Sequence, residues 1–278
     1  MPKGTALTIG LNAVDPKHYG GWSGELNACE ADVHDMSDIG KSRGFTVKTL
    51  LTKAATRSNV IKEVTNAAKS LKSGDIFLLT YSGHGGQLPD LNGDEDDGQD
   101  ETWCLYDGEL VDDETYTLLA KFAAGVRILV FSDSCHSGTA LKAASYPPAA
   151  PARLADGTAG EVRYRNMPEE AALRTYRDNK AFYDPILKNA KLKESRATIK
   201  ASAILISGCQ DNQLSQDGAF NGLFTGTMLR VWNGGKFKRP YRSFRKAIVD
   251  RMPPDQTPNY FRVGQLNAAF ENQSPFKI

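Results

Sequence analysis

The stretch DIFLLTYSGHGG, residues 75–86, decides how this chain is read. Residues 76–81 form a short apolar run of strand length with no polar alternation, the pattern of a strand buried on both faces. The run ends at Ser82-Gly83-His84-Gly85, where a chain with only four histidines sets one between two glycines. A second run, RILVF at 127–131, ends in the same style in SDSCHSG at 132–138. Each run leaves a base-class or nucleophile-class side chain among small residues.

Working outward, residues 6–11, 45–51 and 203–207 are also short and apolar, and they read as strands. Helical spacing fills residues 25–42, 56–71 and 112–122, with Thr56 or Ser58 available to cap the second helix. Two further helices are expected over 219–232 and 241–251. This strand–helix alternation predicts an α/β sandwich: a mostly parallel central sheet with helices on both faces. Chemistry in such sheets collects at the carboxyl ends of the strands, where both glycine-flanked motifs stand. Residues 146–200 break the rhythm with SYPPAAPARLADG and then a basic stretch of eleven Lys/Arg against seven Asp/Glu. That segment reads as a linker or insertion, helical near residues 169–176.

Composition removes several function classes. A formal net charge of +1 supplies no field for nucleic acid or an anionic membrane. No stretch approaches the roughly 20 apolar residues of a membrane span, and MPKGTALTIGLNAVD reads as a first strand and not a leader. The four cysteines (Cys29, Cys104, Cys135 and Cys209) lack zinc-ligand spacing and fit a reduced, cytoplasmic chain. No glycine-rich phosphate fingerprint follows a strand, which argues against a nucleotide-binding protein.

A thiol and an imidazole at neighbouring strand ends make a covalent-catalysis pair, in which the base takes the thiol proton and the thiolate attacks a carbonyl. His84 and Cys135 are the candidate base and nucleophile. His136 adjoins the cysteine, but successive side chains of extended backbone point apart. His18 and His34 have no comparable setting. A buried thiol and a turn histidine remain the plain alternative.

YSGHG at 81–85 and DSCHSG at 133–138 resemble the histidine and cysteine motifs of metacaspases and their prokaryotic caspase-like relatives. The two motifs come in the family's order, with His84 about 50 residues before Cys135. The resemblance implies a caspase-like three-layer fold, with residues 1–145 as a large-subunit-like region and 201–278 as a small-subunit-like region of one domain. It also implies peptide-bond hydrolysis through a thioester, with Gly85 and the Cys135 backbone as oxyanion donors. The segment LNACEAD at 26–32 is similar to one that lines the family's primary specificity pocket. Cys29, Asp32, Ser82 and Asp133 map there, although Ala31 stands where the family has asparagine. Two carboxylates in a sheltered cleft favour a cation, so cleavage after Arg or Lys is expected, in a protein or peptide substrate. A monomer is expected over an obligate dimer.

Asp90 to Glu101 packs seven carboxylates into twelve positions. Glu95 falls where an EF-hand loop requires glycine, and the flanks at 87–89 and 102–104 do not read as helical, which argues against an EF-hand. The resemblance instead implies calcium at Asp100, Asp112 and Asp113, while Lys142 replaces a fourth ligand. A solvated acidic loop is the competing reading. The basic segment after the cysteine motif offers many Arg and Lys bonds, so self-processing there is expected of an enzyme with basic specificity. Cys209 reads as packed near the site, and Asp211 and Gln213 as residues of substrate loops. A catalytically inactive module of the same fold, binding partners or calcium, is the alternative function.

Overall fold

The computed structural model describes residues 1–93, 95, 98–134, 152–153, 159–160, 163–209 and 213–278. The chain opens with β1 (Gly4–Gly10), α1 (Cys29–Ser42), β2 (Thr46–Leu51), α2 (Arg57–Ser70) and β3 (Ile76–Ser82). A three-stranded antiparallel sheet follows, made of β4 (Gly85–Pro89), β5 (Gln99–Leu105) and β6 (Gly108–Val111), and then α3 (Asp112–Leu119) and β7 (Arg127–Asp133). After the two-residue pair β8 (Ala152–Arg153) and β9 (Ala159–Gly160) come α4 (Glu169–Asp178), α5 (Lys180–Leu187) and α6 (Ala190–Lys193). The chain closes with β10 (Ser202–Ser207), α7 (Leu223–Trp232), α8 (Tyr241–Val249), β11 (Asn259–Gly264) and α9 (Ala268–Asn272).

The main sheet runs β11-β10-β7-β3-β1-β2, parallel except for the edge strand β11. Side chains alternate across each strand, so β3 sends Phe77 and Leu79 to one face and Ile76 and Leu78 to the other. The first pair joins Val60 and Val64 of α2 and Leu118 of α3 in one core. The second joins Met36 of α1, Phe224 and Trp232 of α7 and Phe244 of α8 in the other. Three layers result, with β3 buried along its whole length as its unbroken apolar run requires.

Several boundaries differ from the sequence expectation. The first helix starts at Cys29, not at residue 25, because the Asn12 side chain accepts the N–H groups of Cys29 and Glu30 and fixes the first turn there. The helix expected from residue 219 starts at Leu223, because Asn221 and the Gly222 N–H are turned onto Asp32 instead. Thr56 does cap α2, accepting the Asn59 N–H at 3.2 Å. The small sheet β4–β6 had no strand signal at its start, since β4 reads GGQLP. The basic segment from residue 163 onward is built into the molecule: Tyr183 and Leu187 of α5 pack with Leu88 of β4 and Val111 of β6. Among the described residues no helix is long and apolar enough to cross a membrane.

Candidate active site

The register of the sheet assembles the site. Ser82, the last residue of β3, pairs with Asp133, the last of β7, and Gly10 of β1 lies on the other side of Ser82. The side chains of Ser82 and Asp133 therefore emerge together at the carboxyl edge. Asp32, one turn into α1, closes over them and accepts the Ser82 hydroxyl at 2.7 Å. Cys29 is buried in the same wall, and burial pushes its thiol up to about 12.

A cation already fills this acidic cluster, and it comes from the chain itself. Arg165 is fully buried, with Nη2 2.8 Å from Asp32 and 3.0 Å from Asp217. Its Nη1 lies 3.0 Å from the Asp133 carboxylate and donates to the Ser82 hydroxyl at 2.8 Å. Three carboxylates around one guanidinium leave the pocket acidic enough to demand a positive charge. The remaining oxygens are also engaged. Asp133 accepts the hydroxyls of Ser215 and Thr225 at 2.7 Å each, and Asp32 accepts from Asn221 and the Gly222 N–H. Burial pushes the Asp32 carboxyl up to about 6, with the Arg165 guanidinium opposing and Asp133 adding to the rise. Gly222 is a close-approach position, since a Cβ there would stand 2.5 Å from Asp133 and 2.6 Å from the Arg165 guanidinium.

The backbone around Arg165 is held on both sides. Its N–H donates to the Ser215 carbonyl and the Asp217 N–H donates to the Arg163 carbonyl, an antiparallel pairing with residues 215–217. The Arg165 carbonyl accepts the Gly85 N–H at 2.9 Å. One residue earlier stands His84, whose Nε2 is 3.1 Å from the Gly24 carbonyl and whose ring lies against Trp22, 4.7 Å between centroids. The accepting Gly24 carbonyl sets that nitrogen as the N–H, leaving Nδ1 as the basic one. Nδ1 is buried and has no hydrogen-bond partner among the described residues. Burial lowers the imidazole to about 4, the Gly24 carbonyl opposing and Arg165 adding to the fall, so the ring is neutral at pH 7. Gly24 itself sits at φ +54°, the turn that swings its carbonyl onto the ring.

Cys135, the candidate nucleophile, lies outside the described residues, as do His136, Lys142 and Asp211. The strand that leads to Cys135 is described through Ser134, whose carbonyl accepts the Cys209 thiol at 3.4 Å. Gln213 turns to Thr257 and the Pro254 carbonyl. The structure thus brings Asp32, Ser82, Asp133 and Cys29 into one pocket, with His84 and Gly85 beside it. Asp217, Ser215, Gly24, Trp22 and Arg165 were not anticipated as members. No local pattern marks the first four; for Arg165 the one signal was a basic segment downstream of the cysteine motif.

The acidic loop is a separate place. Asp100 and Asp113 are buried, and Asp112 is pushed up to about 8 by burial first and then by Asp113, Glu101 and Asp100. Asn92 donates to Asp113 at 2.9 Å. The Oδ1 of Asp112 is buried without a hydrogen-bond partner among the described residues. Among the described residues no three such side chains converge as cation ligands; Asp94, Asp96 and Asp97 of this loop lie outside them.

Known proteins resemble this chain along nearly its whole length. The profile of the caspase domain family matches residues 3–270. Metacaspase-1A of Aspergillus oryzae is 31% identical, over 95% of this chain and 67% of its own. Metacaspase-1 of Emericella nidulans is 29% identical, over 96% and 70%. Among solved structures, protein GSU0716 of Geobacter sulfurreducens is 63% identical with a TM-score of 0.90, covering 100% of this chain and 99% of that one. Caspase-1 of Spodoptera frugiperda shares the fold at a TM-score of 0.59 and 12% identity, over 99% and 90%. With its sheet order, its layers and these likenesses, the chain belongs to the caspase domain family of cysteine peptidases.

Proposed function

We propose that this chain is an endopeptidase that cleaves after Arg or Lys, with Cys135 as nucleophile and His84 as base, and that its own Arg165–Asn166 bond is the first it meets. One observation carries the reading. Arg165 has its side chain on Asp32, Asp133 and Asp217 while its carbonyl accepts the Gly85 N–H. A peptide poised for attack needs both: a side chain anchored in a specificity pocket and a carbonyl oxygen on a preorganised donor.

In this reading the neutral His84 takes the Cys135 thiol proton, and the thiolate adds to the carbonyl carbon of the anchored residue. The Gly85 N–H stabilises the oxyanion. His84 then passes its proton to the leaving amine, the C–N bond breaks and a thioester remains. Water, deprotonated by His84, hydrolyses the thioester and returns the thiol. The buried, low-lying imidazole suits a base that must be unprotonated at neutral pH.

The test uses freshly reduced full-length protein. It should release fluorophore from peptides ending in Arg or Lys and none from those ending in Asp, and a fragment beginning at Asn166 should accumulate. Cys135→Ala should abolish all three signals. Failure to cleave after either basic residue, with and without calcium, would leave a non-catalytic module of this fold as the better account.

A further inference from the structure

Burial alternates along the segment that crosses the cleft. Arg165 is fully buried, Asn166 is half-buried, and Met167 is 2% exposed. Gly85 holds both flanks of the intervening bond: its N–H donates to the Arg165 carbonyl, and its carbonyl accepts the Met167 N–H at 2.8 Å. Such a pairing sends residues 165 and 167 to the same side, into two different pockets.

The second pocket is apolar. Met167 packs with Val14, Tyr19 and Cys104, with Trp22 alongside, and its sulfur lies 3.9 Å from the Cys104 thiol. These walls come from the loop after β1 and from β5, so most of the pocket is independent of the segment that fills it. It is also rigidly joined to the base. The Trp22 ring that flanks Met167 lies against His84, and the His84 carbonyl accepts both the Cys104 N–H and the Tyr81 hydroxyl. The Tyr19 hydroxyl is committed to the Leu105 carbonyl at 2.6 Å and offers the incoming side chain nothing polar.

We infer that the Val14–Tyr19–Trp22–Cys104 pocket is a substrate subsite on the leaving-group side, which selects a long aliphatic residue two positions after the cleaved bond. The inference rests on the endopeptidase reading above. The cleft then recognises a peptide by two anchors, a cation before the scissile bond and a methionine-like side chain beyond it. A carboxylate placed in the second pocket would be buried without a partner and beside Glu109, which pairs with Cys104 across β5 and β6, and this excludes acidic residues.

The experiment uses the full chain carrying R165A and M167D, which frees both pockets, because an aspartate at 167 cannot stay in an apolar site. Internally quenched peptides Tyr-Arg-Asn-Xaa, with Xaa as Met, Leu, Ala or Asp, report the second anchor. An arginyl coumarin, which has no residue beyond the bond, reports the first anchor alone. Met and Leu peptides should be cleaved with a kcat/KM about 10-fold or more above the Asp peptide, with Ala between. A spread below about twofold, with the coumarin still cleaved, would overturn the subsite and leave the basic specificity standing. Failure to cleave the coumarin would overturn the endopeptidase reading and the subsite together. A full chain carrying only M167L should self-cleave after residue 165 as fast as the wild type, and a loss there would also count against the subsite.

Discussion

At Arg165 the two terminal nitrogens do separate work. Nη1 meets Asp133 and Ser82, and Nη2 meets Asp32 and Asp217. The planar fork of arginine can make both contacts at once, whereas a lysine has one nitrogen to share among them. Arg peptides should therefore be cleaved with a kcat/KM about 10-fold above matched Lys peptides, a difference of about 1.4 kcal/mol. Removing one member of a buried charge cluster costs about 3–5 kcal/mol, since the partner stays buried. Asp32→Asn should lower kcat/KM for Arg peptides by about 100-fold or more, and it should narrow the Arg-to-Lys ratio. Steady-state kinetics on the paired peptides check both outcomes.

At the scale of the element, the small sheet β4–β6 carries the Gly85 donor, and its stability is tied to a buried acid. The Glu109 side chain of β6 is fully buried and accepts the Thr102 hydroxyl at 2.5 Å. Burial pushes its carboxyl up to about 7, with the Thr102 bond and then Arg57 opposing. A carboxyl whose folded value lies above its unfolded one contributes stability that is present below about 4.5 and is lost as the pH rises through 7. Glu109→Gln removes that loss. The variant should gain up to about 3 kcal/mol on the wild type between pH 5 and pH 8, read from denaturant unfolding at each pH. An equal response of both proteins over that window would show that Glu109 is not the acid responsible.

Across the whole molecule, the bond at Arg165–Asn166 falls between two halves that share one sheet. β7 lies before the bond and β10 after it, and they pair in parallel from Arg127–Ser202 to Ser132–Ser207. The core on one face likewise mixes Ala6, Ile76 and Phe131 with Ile206, Phe224 and Trp232. Cutting the connection removes no hydrogen bond of the β7–β10 ladder and exposes little of that core. Cleaved protein should elute at the size of the intact chain under native conditions and separate into two fragments only in denaturant, as native and denaturing mass spectrometry would show. Fragments that part without denaturant would mean that the shared sheet does not hold them.

What the sequence determined by itself was whatever repeats locally. Apolar runs of strand length fixed β3 and β7, helical spacing fixed α1 and α2, and alternation of the two gave the layered parallel sheet, because burial on both faces demands unbroken apolar strands. The local motifs also brought Asp32, Ser82 and Asp133 to notice, each standing at the end or first turn of a readable element. Tertiary structure alone decided the rest. β4 and β11 carry no apolar run, so their pairing partners create them as strands. Asp217 and Gly24 lie far along the chain from Asp133 and His84, and only the sheet's register and the loop after β1 bring them within hydrogen-bond reach. Arg165 looked like one basic residue among eleven in its segment. Its place in the acidic pocket comes from the pairing of its backbone with Gly85 and with residues 215–217, a long-range contact that no local pattern encodes.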